Sequence, residues 1–492
     1  MNIFSKFKKT LVLILKLTMF FFLILIFFYI FSKNFPQIKK INRTSVVLLF
    51  VLIIFLYSSI KMYGGFTIGK KQTKEIKISA ILGTLIGDIL TFITIHIMNA
   101  SSINYYKFYS INAKTTDDLI KPNIKTFLSA YLKNNFLPSF LTLLITFIVQ
   151  IIVIIIFAEI SNKIYYKINK AKRTIIIYND LQELFFLVKK VRKNSSRWNI
   201  IKIFKYDYKN ILEEIKQSEA VFVSNIPKKQ KNLFLKFCYN YNKDIYIYPD
   251  VCEVIINCSN TLTIDDMTFL SIKDYNISFE QRFIKRFGDI VFSIAALIIT
   301  SPIFLISAIA IKLYDKGPII FKQKRLTING KEFYLLKFRS MIVNAEKNFQ
   351  STMVKKNDYR ITPVGKFLRR FRIDELPQFF NILKGDLSVV GPRPERIEHI
   401  KQFEKNLPEF KYRLKVKAGL TGLAQIIGKY STTPKDKLTL DLSYIQKYSL
   451  WLDIKIILCT LIVFLKPEST EGVQKIDNKT IEFVNEKLKN NS

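Results

Sequence analysis

"SFEQRFIKRFGDIVFSIAALIITSPIFLISAIAIKLYDKGPIIF", residues 278–321, decides where the second half of the chain lies. From Ile290 on, nearly every residue is apolar until Lys312, a run of the length a bilayer requires. Two features oppose a simple span. Ser301-Pro302 sits in mid-run, where proline removes a backbone donor and bends a helix. Both flanks are basic, with Lys285 and Arg286 before the run and Lys312 and Lys316 after it. The stretch therefore predicts a re-entrant hairpin that dips into one leaflet and leaves both basic ends in the cytoplasm. A true span would carry everything after residue 313 to the other side, away from cytoplasmic nucleotides.

Upstream lie four further apolar segments, 11–31, 45–60, 77–98 and 136–160, each long enough to cross a bilayer. The first is too long, and lacks the small-residue site, for a cleaved signal peptide. An even number of crossings returns both ends to one side. Lys6, Lys8, Lys9, the Lys70/Lys71/Lys74 cluster and the basic stretch 163–173 put that side in the cytoplasm, whereas Lys39, Lys40 and Arg43 argue the other way. Asp88, in the third segment, reads as the mark of a polar site within the span or, the preferred reading, as an interfacial acid near a helix end.

The formal charge of +38 predicts an anionic partner: nucleic acid, an anionic lipid surface or a phosphorylated substrate. No aromatic-basic recognition motif accompanies the charge, and four apolar segments exclude a nucleic-acid binder. The four cysteines show no metal-ligand spacing and read as buried thiols in a reducing compartment. The two histidines, His96 in an apolar segment and His399 in a polar helix, rule out a zinc site, a histidine triad or a phosphohistidine relay. Acid–base or nucleophilic chemistry is left to carboxylates, lysines and hydroxyls.

From about residue 172, short β-rich runs ("RTIIIYN", "NIIKIFKY", "EAVFVSNI", "DIYIYPD") alternate with helix-like stretches. This predicts a small parallel-sheet domain. Its first strand runs into "NDLQELF", which lacks the glycines that let a dinucleotide approach the backbone, so the domain reads as a cofactor-less Rossmann-like scaffold.

Beyond the hairpin, "RRFRIDELPQFFNILKGDLSVVGPRP" (369–394) places Asp374 and Glu375 behind Arg369, Arg370 and Arg372. Asp374 reads as the cap of a helix, with Glu375 and Pro377 in its first turn and Gly385 as its stop. A carboxylate there, beside arginines, should stay ionised in a setting that collects phosphate oxygens. Once a divalent cation screens the repulsion it can act as a nucleophile on a bound diphosphate. The same residues alone also read as a plain helix cap with a solvated basic face.

The ordered set is more specific. The Ser-Pro hairpin, "KFRSM", "DELPQ", "KGDLSVVGPRP", "GLTGLAQ" and "SLWLDIKI", over residues 278–467, closely resemble the bacterial sugar transferase family, the monotopic polyprenyl-phosphate hexose-1-phosphate transferases. The resemblance implies a membrane protein of mixed α and α/β class. It would comprise a four-helix transmembrane bundle (1–165), a degenerate Rossmann-like domain (166–277), a mostly α catalytic domain with a re-entrant hairpin (278–469) and a tail (470–492) without functional signal. It further implies transfer of sugar 1-phosphate from a UDP-sugar to undecaprenyl phosphate, with UMP released, as the first step of exopolysaccharide, capsule or other surface glycan synthesis. Asp374 would be the nucleophile, Glu375 its dyad partner, and both would hold Mg²⁺. Lys337, Arg339, Arg369 and Arg393 fall on motif positions suited to phosphate groups; Asp441 matches a family acid expected to pair with a basic residue, Arg369 being the choice made here. Ser301 and Pro302 break the hairpin, and Pro392 and Pro394 shape a turn near the nucleotide. Implied partners are the two substrates, the lipid bilayer of the bacterial inner membrane, a second copy of the chain and downstream glycosyltransferases, with the catalytic domain on the cytoplasmic face. "LWLDIKIILCTLIVFL" (450–465) reads equally as an interfacial amphipathic helix or a core helix.

Two departures stand out: "FRIDE" replaces the commoner Thr-Ser-Leu before the acids, and Ala418 stands where the family often has proline. Neither removes a charged catalytic position. A polytopic phosphosugar transferase would need more spans and a DDxxD-type motif, which neither Asp117-Asp118 nor Asp265-Asp266 completes. A non-catalytic scaffold would have no need of both acids.

Overall fold

A computed structural model describes residues 3–33, 43–102, 136–272, 277–343, 345, 358–428, 432–464 and 478–489. Lys39, Lys40 and Asp117-Asp118 lie outside the described residues. The chain divides into two compact units, 1–174 with 190–201 and 175–189 with 202–492.

Among the described residues the first unit holds α1 (Ile3–Phe31), α2 (Arg43–Tyr63), α3 (Thr73–Ser102) and α4 (Leu137–Ile168). Each is long and apolar enough to cross a membrane. They carry apolar residues on every face, so burial sorts them instead of polarity. Met19, Leu23, Phe27 and Phe31 recur every fourth residue along α1, as do Leu48, Leu52, Leu56 and Ile60 along α2. These rows share one buried cluster with Ala80, Phe92, Ile95 and Ile154. Gly83 and Gly87 let α3 approach the Cα atoms of Ile60 and Leu56, where any Cβ would collide. Outward-facing Phe21, Tyr29, Phe50 and Ile148 remain exposed for lipid. Asp88 departs from expectation: it sits in the middle of α3 and is 1% exposed, not interfacial.

Next comes a sheet domain with β1 (Lys172–Tyr178), α5 (Leu181–Arg192), β2 (Trp198–Lys205), α6 (Ile211–Gln217), β3 (Ala220–Ser224), α7 (Lys228–Asn240) and β4 (Asp244–Ile247). Strand order is β2-β1-β3-β4, with β4 parallel to β3 in a register of Ala220 to Asp244. The turn after β1 is fastened by Asp180, whose Oδ1 accepts from the backbone N–H of Gln182 at 2.9 Å. α8 (Val251–Asn257) follows, and then a two-stranded hairpin, β5 (Asn260–Ile264) and β6 (Met267–Ser271). Its register pairs Leu262 with Phe269 and Ile264 with Met267, so all four point to one face, and all four are exposed. Of the cysteines only Cys238 is buried; Cys252 is exposed, and Cys258 and Cys459 are intermediate, so the expectation of four buried thiols fails for three.

α9 (Phe279–Asp315) is one helix of 37 residues, opened by a capping box between Ser278 and Gln281, with Pro302 inside it. The expected break at Ser301-Pro302 is bridged locally. Proline leaves the Ile298 carbonyl without its usual donor, and the Ser301 hydroxyl supplies one at 2.8 Å. In hydrocarbon an unsatisfied carbonyl costs several kcal/mol, so this substitution keeps the helix continuous.

From Lys285 to Asp315, one face of α9 lies against the core of the second unit. Lys285 pairs with Asp453 at 2.6 Å, and the Arg286 guanidinium donates to the carbonyls of Ile382 and Leu383 at 2.5 and 2.7 Å. Asp289 accepts from the Val389 N–H at 3.0 Å. Further on, Phe304 meets the Phe338 ring at 4.6 Å, Ile311 packs with Phe338 and Leu368, and Asp315 pairs with Arg339. The opposite face, including Ile298, Ile299, Leu305, Ile306 and Leu313, is exposed.

The remaining elements are β7 (Ile320–Leu326), β8 (Glu332–Phe338), α10 (Pro363–Arg370), α11 (Gln378–Lys384), β9 (Ser388–Val390), α12 (Ile397–Asn406), β10 (Gly419–Thr421), α13 (Leu423–Ile427), α14 (Pro434–Gln446), α15 (Leu450–Phe464) and α16 (Asn478–Lys489). Phe333, Leu335, Phe379, Ile382, Leu387, Phe410, Leu438 and Leu442 form their core, and Val251 and Val254 of α8 belong to the same cluster. In α15, Ile456 is buried in this core while Trp451 and Ile454 are exposed.

Candidate active site

The two acids occupy a tight turn between helices. α10 starts at Thr362, whose hydroxyl accepts from the Gly365 N–H at 2.9 Å, with Pro363 at its first position. Past its end Arg372 takes the left-handed conformation at φ 54°, costing about 1–2 kcal/mol for a residue with a Cβ. A single 3₁₀ turn, Ile373–Glu375, follows. Asp374 is thus not the cap of the next helix, as the sequence suggested. α11 opens after Pro377, and the expected stop at Gly385 is present at φ 98°.

Three other segments converge on this turn. Lys337 is in phase with the buried Phe333 and Leu335 of β8, which aims its ammonium inward. Asn381 of α11 locks that strand, accepting from the Leu336 N–H at 2.9 Å and donating to the Tyr334 carbonyl at 2.8 Å. The third segment is "GPRP". Gly391 donates to the Thr421 carbonyl and Gly419 to the Pro392 carbonyl, each at 2.9 Å, and a Cβ on Gly391, Gly419 or Gly422 would strike backbone. Glycine is needed where these two segments cross.

Glu375 collects the cations. Its Oε1 accepts from Lys337 Nζ at 3.1 Å and from Arg393 at 3.3 Å, while Arg372 lies 4.0 Å from Oε2. Burial pushes its acidity one way, but Lys337, Arg393 and Arg372 outweigh it and hold the carboxyl well below the usual range. Asp374 is buried too, with Lys337 4.0 Å away. Here burial dominates, and the neighbouring Glu375 charge adds to it, so its carboxyl is raised despite Lys337. The arginine-rich setting was expected to keep the nucleophilic carboxylate ionised. It does so for Glu375, and the pair is split into a firmly ionised acid and a more basic one. Lys337 and Arg393 also line a small pocket of about 20 Å³ together with Arg325 and Gln378.

Arg339 and Asp441 bind partners away from the dyad, whereas Arg369 is bonded to Ser340 while its charge still acts on Asp374. Arg339 is buried and paired with Asp315 at the end of α9; among the described residues no bond ties it to the dyad. Arg369 donates through Nε to the Ser340 hydroxyl at 2.8 Å. Asp441 pairs with Arg413 at 2.8 Å, not with Arg369, which corrects the expected partner. Ser301 and Pro302 lie within α9, remote in sequence from the dyad.

Arg413, Glu395 and Lys437 carried no expectation, yet they form a charged layer behind Arg393. Arg413, 3% exposed, donates to the Arg393 carbonyl at 2.9 Å and lies 3.8 Å from Glu395, which Lys437 approaches at 3.1 Å. Burial lifts Asp441 to about 6 although Arg413 opposes it. Burial also works against Glu395, but Lys437, Arg413 and Arg393 pull it down to about 2. The only sequence signals were an acid directly after "GPRP" and an arginine among the lysines of "KYRLKVK".

Among the described residues no group of three or more His, Cys, Asp or Glu side chains could hold a metal. The pair still fits Mg²⁺ in the manner usual for nucleotide sites, where one or two carboxylates share the ion with substrate phosphates and water. The fit is better for Asp374, since Glu375 would have to release Lys337 or Arg393.

Fold and site together define a membrane-associated protein with a buried acidic pair ringed by cations. The bacterial sugar transferase profile matches residues 280–467. The chain is 44% identical over 224 residues to the UDP-glucose:undecaprenyl-phosphate glucose-1-phosphate transferase of Klebsiella pneumoniae, covering 44% of this chain and 47% of that one. It is 42% identical over 182 residues to the UDP-N-acetylgalactosamine-undecaprenyl-phosphate N-acetylgalactosaminephosphotransferase of Aeromonas hydrophila, covering 36% and 43%. With a glucose-1-phosphate transferase of Caulobacter vibrioides it shares 39% identity over 182 residues, 36% of this chain and 68% of the relative. The chain belongs to the bacterial sugar transferase family. Its match spans about half the length of the Klebsiella and Aeromonas relatives.

Proposed function

We propose that the chain transfers a sugar 1-phosphate from a UDP-sugar to undecaprenyl phosphate, as the first step of a surface glycan. The observation that carries the reading is the unequal engagement of the dyad: Glu375 meets Lys337, Arg393 and Arg372, while the buried Asp374 beside it stands 4.0 Å from Lys337. Asp374, the carboxylate less engaged by cations, is the nucleophile. Its oxygen attacks the sugar-proximal phosphorus, the bridging P–O bond breaks, and UMP departs with that electron pair. An oxygen of undecaprenyl phosphate then attacks the same phosphorus, the aspartyl P–O bond breaks, and the carboxylate is restored. Glu375 anchors Lys337 and Arg393, which neutralise the diphosphate; Arg325 and Gln378 line its pocket. Mg²⁺, held by Asp374 with Glu375 in reserve, would supply charge neutralisation on the diphosphate.

The membrane arrangement is part of the proposal. Lys285 and Arg286 at the start of α9 and Asp315 at its end all bind the same catalytic core, which supports both ends of the helix lying on one side of the bilayer. We read α9 as the monotopic element, a continuous helix bent at Pro302 with both ends on one side of the bilayer and its exposed isoleucines and leucines in one leaflet. α1–α4 form the transmembrane bundle (domain 1–165), 166–277 the Rossmann-like domain and 278–469 the catalytic domain, on the cytoplasmic face of the inner membrane. The uncovered face of the β5–β6 hairpin supports a homodimer, and the product passes to downstream glycosyltransferases.

The test uses membranes holding the full chain, undecaprenyl phosphate, Mg²⁺ and a panel of UDP-sugars beginning with UDP-glucose and UDP-N-acetylgalactosamine. UMP release from one sugar, lost on EDTA addition and reduced by about 10³-fold or more in Asp374→Asn, is expected. Undiminished release in that variant would remove Asp374 as nucleophile, and silence across the panel would remove the reaction.

A further inference from the structure

In doubly wound sheets, ligands bind beyond the carboxyl ends of the strands where the order reverses. With the order β2-β1-β3-β4, that point lies between β1 and β3. Here it is closed, because the Ser224 hydroxyl at the end of β3 donates to Glu183 at 3.1 Å. The neighbouring strand end is occupied by the catalytic domain's own α14. Tyr248, next after β4, donates its hydroxyl to Asp436 at 3.0 Å. Lys435 donates to Asp250 at 3.2 Å and stands 4.6 Å over the Tyr248 ring. Lys231, 4% exposed, fixes the other Asp250 oxygen at 3.1 Å and Glu253 at 2.8 Å. Thr433 caps α14 by accepting from the Asp436 N–H at 3.1 Å. The first turn of α14 is thus held from several directions.

The same helix carries Lys437 and Asp441, the partners of Glu395 and Arg413. Arg413 donates to the carbonyl of Arg393, and Arg393 reaches Glu375. We propose that the Rossmann-like sheet positions the transferase site: Tyr248 and the Asp250–Lys435 pair hold the first turn of α14, which through Lys437, Asp441 and Arg413 sets the placement of Arg393. The strand end next to the closed ligand point is given over to bracing α14, a structural use for a middle domain without a glycine-rich loop. Tyr248 is a positioning residue; it touches neither substrate nor dyad. The inference rests on the transferase reading for its kinetic consequence but not for its mechanical one.

The test compares wild type, Tyr248→Phe, Arg393→Lys and the double variant, as full chains in lipid nanodiscs. Removing the hydroxyl should raise the donor KM about fivefold while kcat stays within about twofold, because a displaced Arg393 weakens diphosphate capture. In the Arg393→Lys background the same change should add almost nothing, the signature of a shared route. Equal effects in both backgrounds, or an unchanged KM, would overturn the proposal. Amide hydrogen exchange over residues 434–441, without donor, should quicken about fivefold in Tyr248→Phe, and unchanged exchange would also overturn it. Quickened exchange in Tyr248→Phe, with no UMP released by the wild-type chain, would support the brace while removing the transferase reading.

Discussion

The helices α1–α4 and the helix α9 are alike in length and apolarity but are held by different forces. α2 and α3 meet through shape: Gly83 and Gly87 accept the Cα atoms of Ile60 and Leu56, and apolar rows do the rest. α9 is tied to its unit by charge and hydrogen bonds at both ends, through Lys285, Arg286, Asp289 and Asp315. Hydropathy does not separate these cases. What separates them is whether the polar residues flanking the apolar run face solvent or are claimed by one folded core.

That contrast can be broken or sharpened. The largest effect should follow loss of a charge that anchors α9. Both partners of the Lys285–Asp453 pair are largely buried, and the Tyr444 hydroxyl donates to Asp453 at 2.8 Å. Lys285→Ala leaves that carboxylate buried beside Tyr444 without its counter-charge and should cost about 3–5 kcal/mol. Lys77→Ala, which removes the half-exposed pair with Glu159, should cost under about 1 kcal/mol. Denaturant-dependent proteolysis of the two variants measures both, and equal losses would erase the distinction.

A pH dependence should mark the catalytic unit next. Asp441 is raised from 3.8 to about 6, so the folded state binds its proton more tightly than the unfolded state does. Stability from this group is full below about pH 4 and is lost as pH rises through about 6, a fall on the order of 3 kcal/mol. Asp441→Asn should flatten that segment of the stability profile. A profile unchanged by the substitution would contradict the burial argument.

Ser301 offers a smaller effect with an internal control. Ser301→Ala should cost about 1–2 kcal/mol by orphaning the Ile298 carbonyl. The double change to alanine at 301 and 302 should recover most of the loss, because alanine at 302 restores the backbone donor that proline lacks. Additive losses would mean that the hydroxyl does not stand in for that N–H.

Composition and period were enough to read the apolar helices, the β-rich middle domain and the stop at Gly385, since each depends on local residue type. The dyad was legible as a motif; its division of labour was not, because that depends on burial and on which oxygens the cations reach. The true partner of Asp441, the anchoring of Arg339 by Asp315 and the left-handed Arg372 are likewise set by tertiary packing. Ser301-Pro302 shows the limit most clearly. The sequence correctly signals a lost hydrogen bond, and only the placement of one hydroxyl reveals that the bond is replaced and the helix runs on.

The measurement closest to the central claim is the intact mass of the full chain after exposure to UDP-sugar and Mg²⁺ without undecaprenyl phosphate. The account predicts a gain equal to one sugar phosphate, mapped to the peptide with Asp374, absent in Asp374→Asn and discharged on adding undecaprenyl phosphate. Turnover with no adduct under any quench, or an adduct that persists in Asp374→Asn, would contradict it.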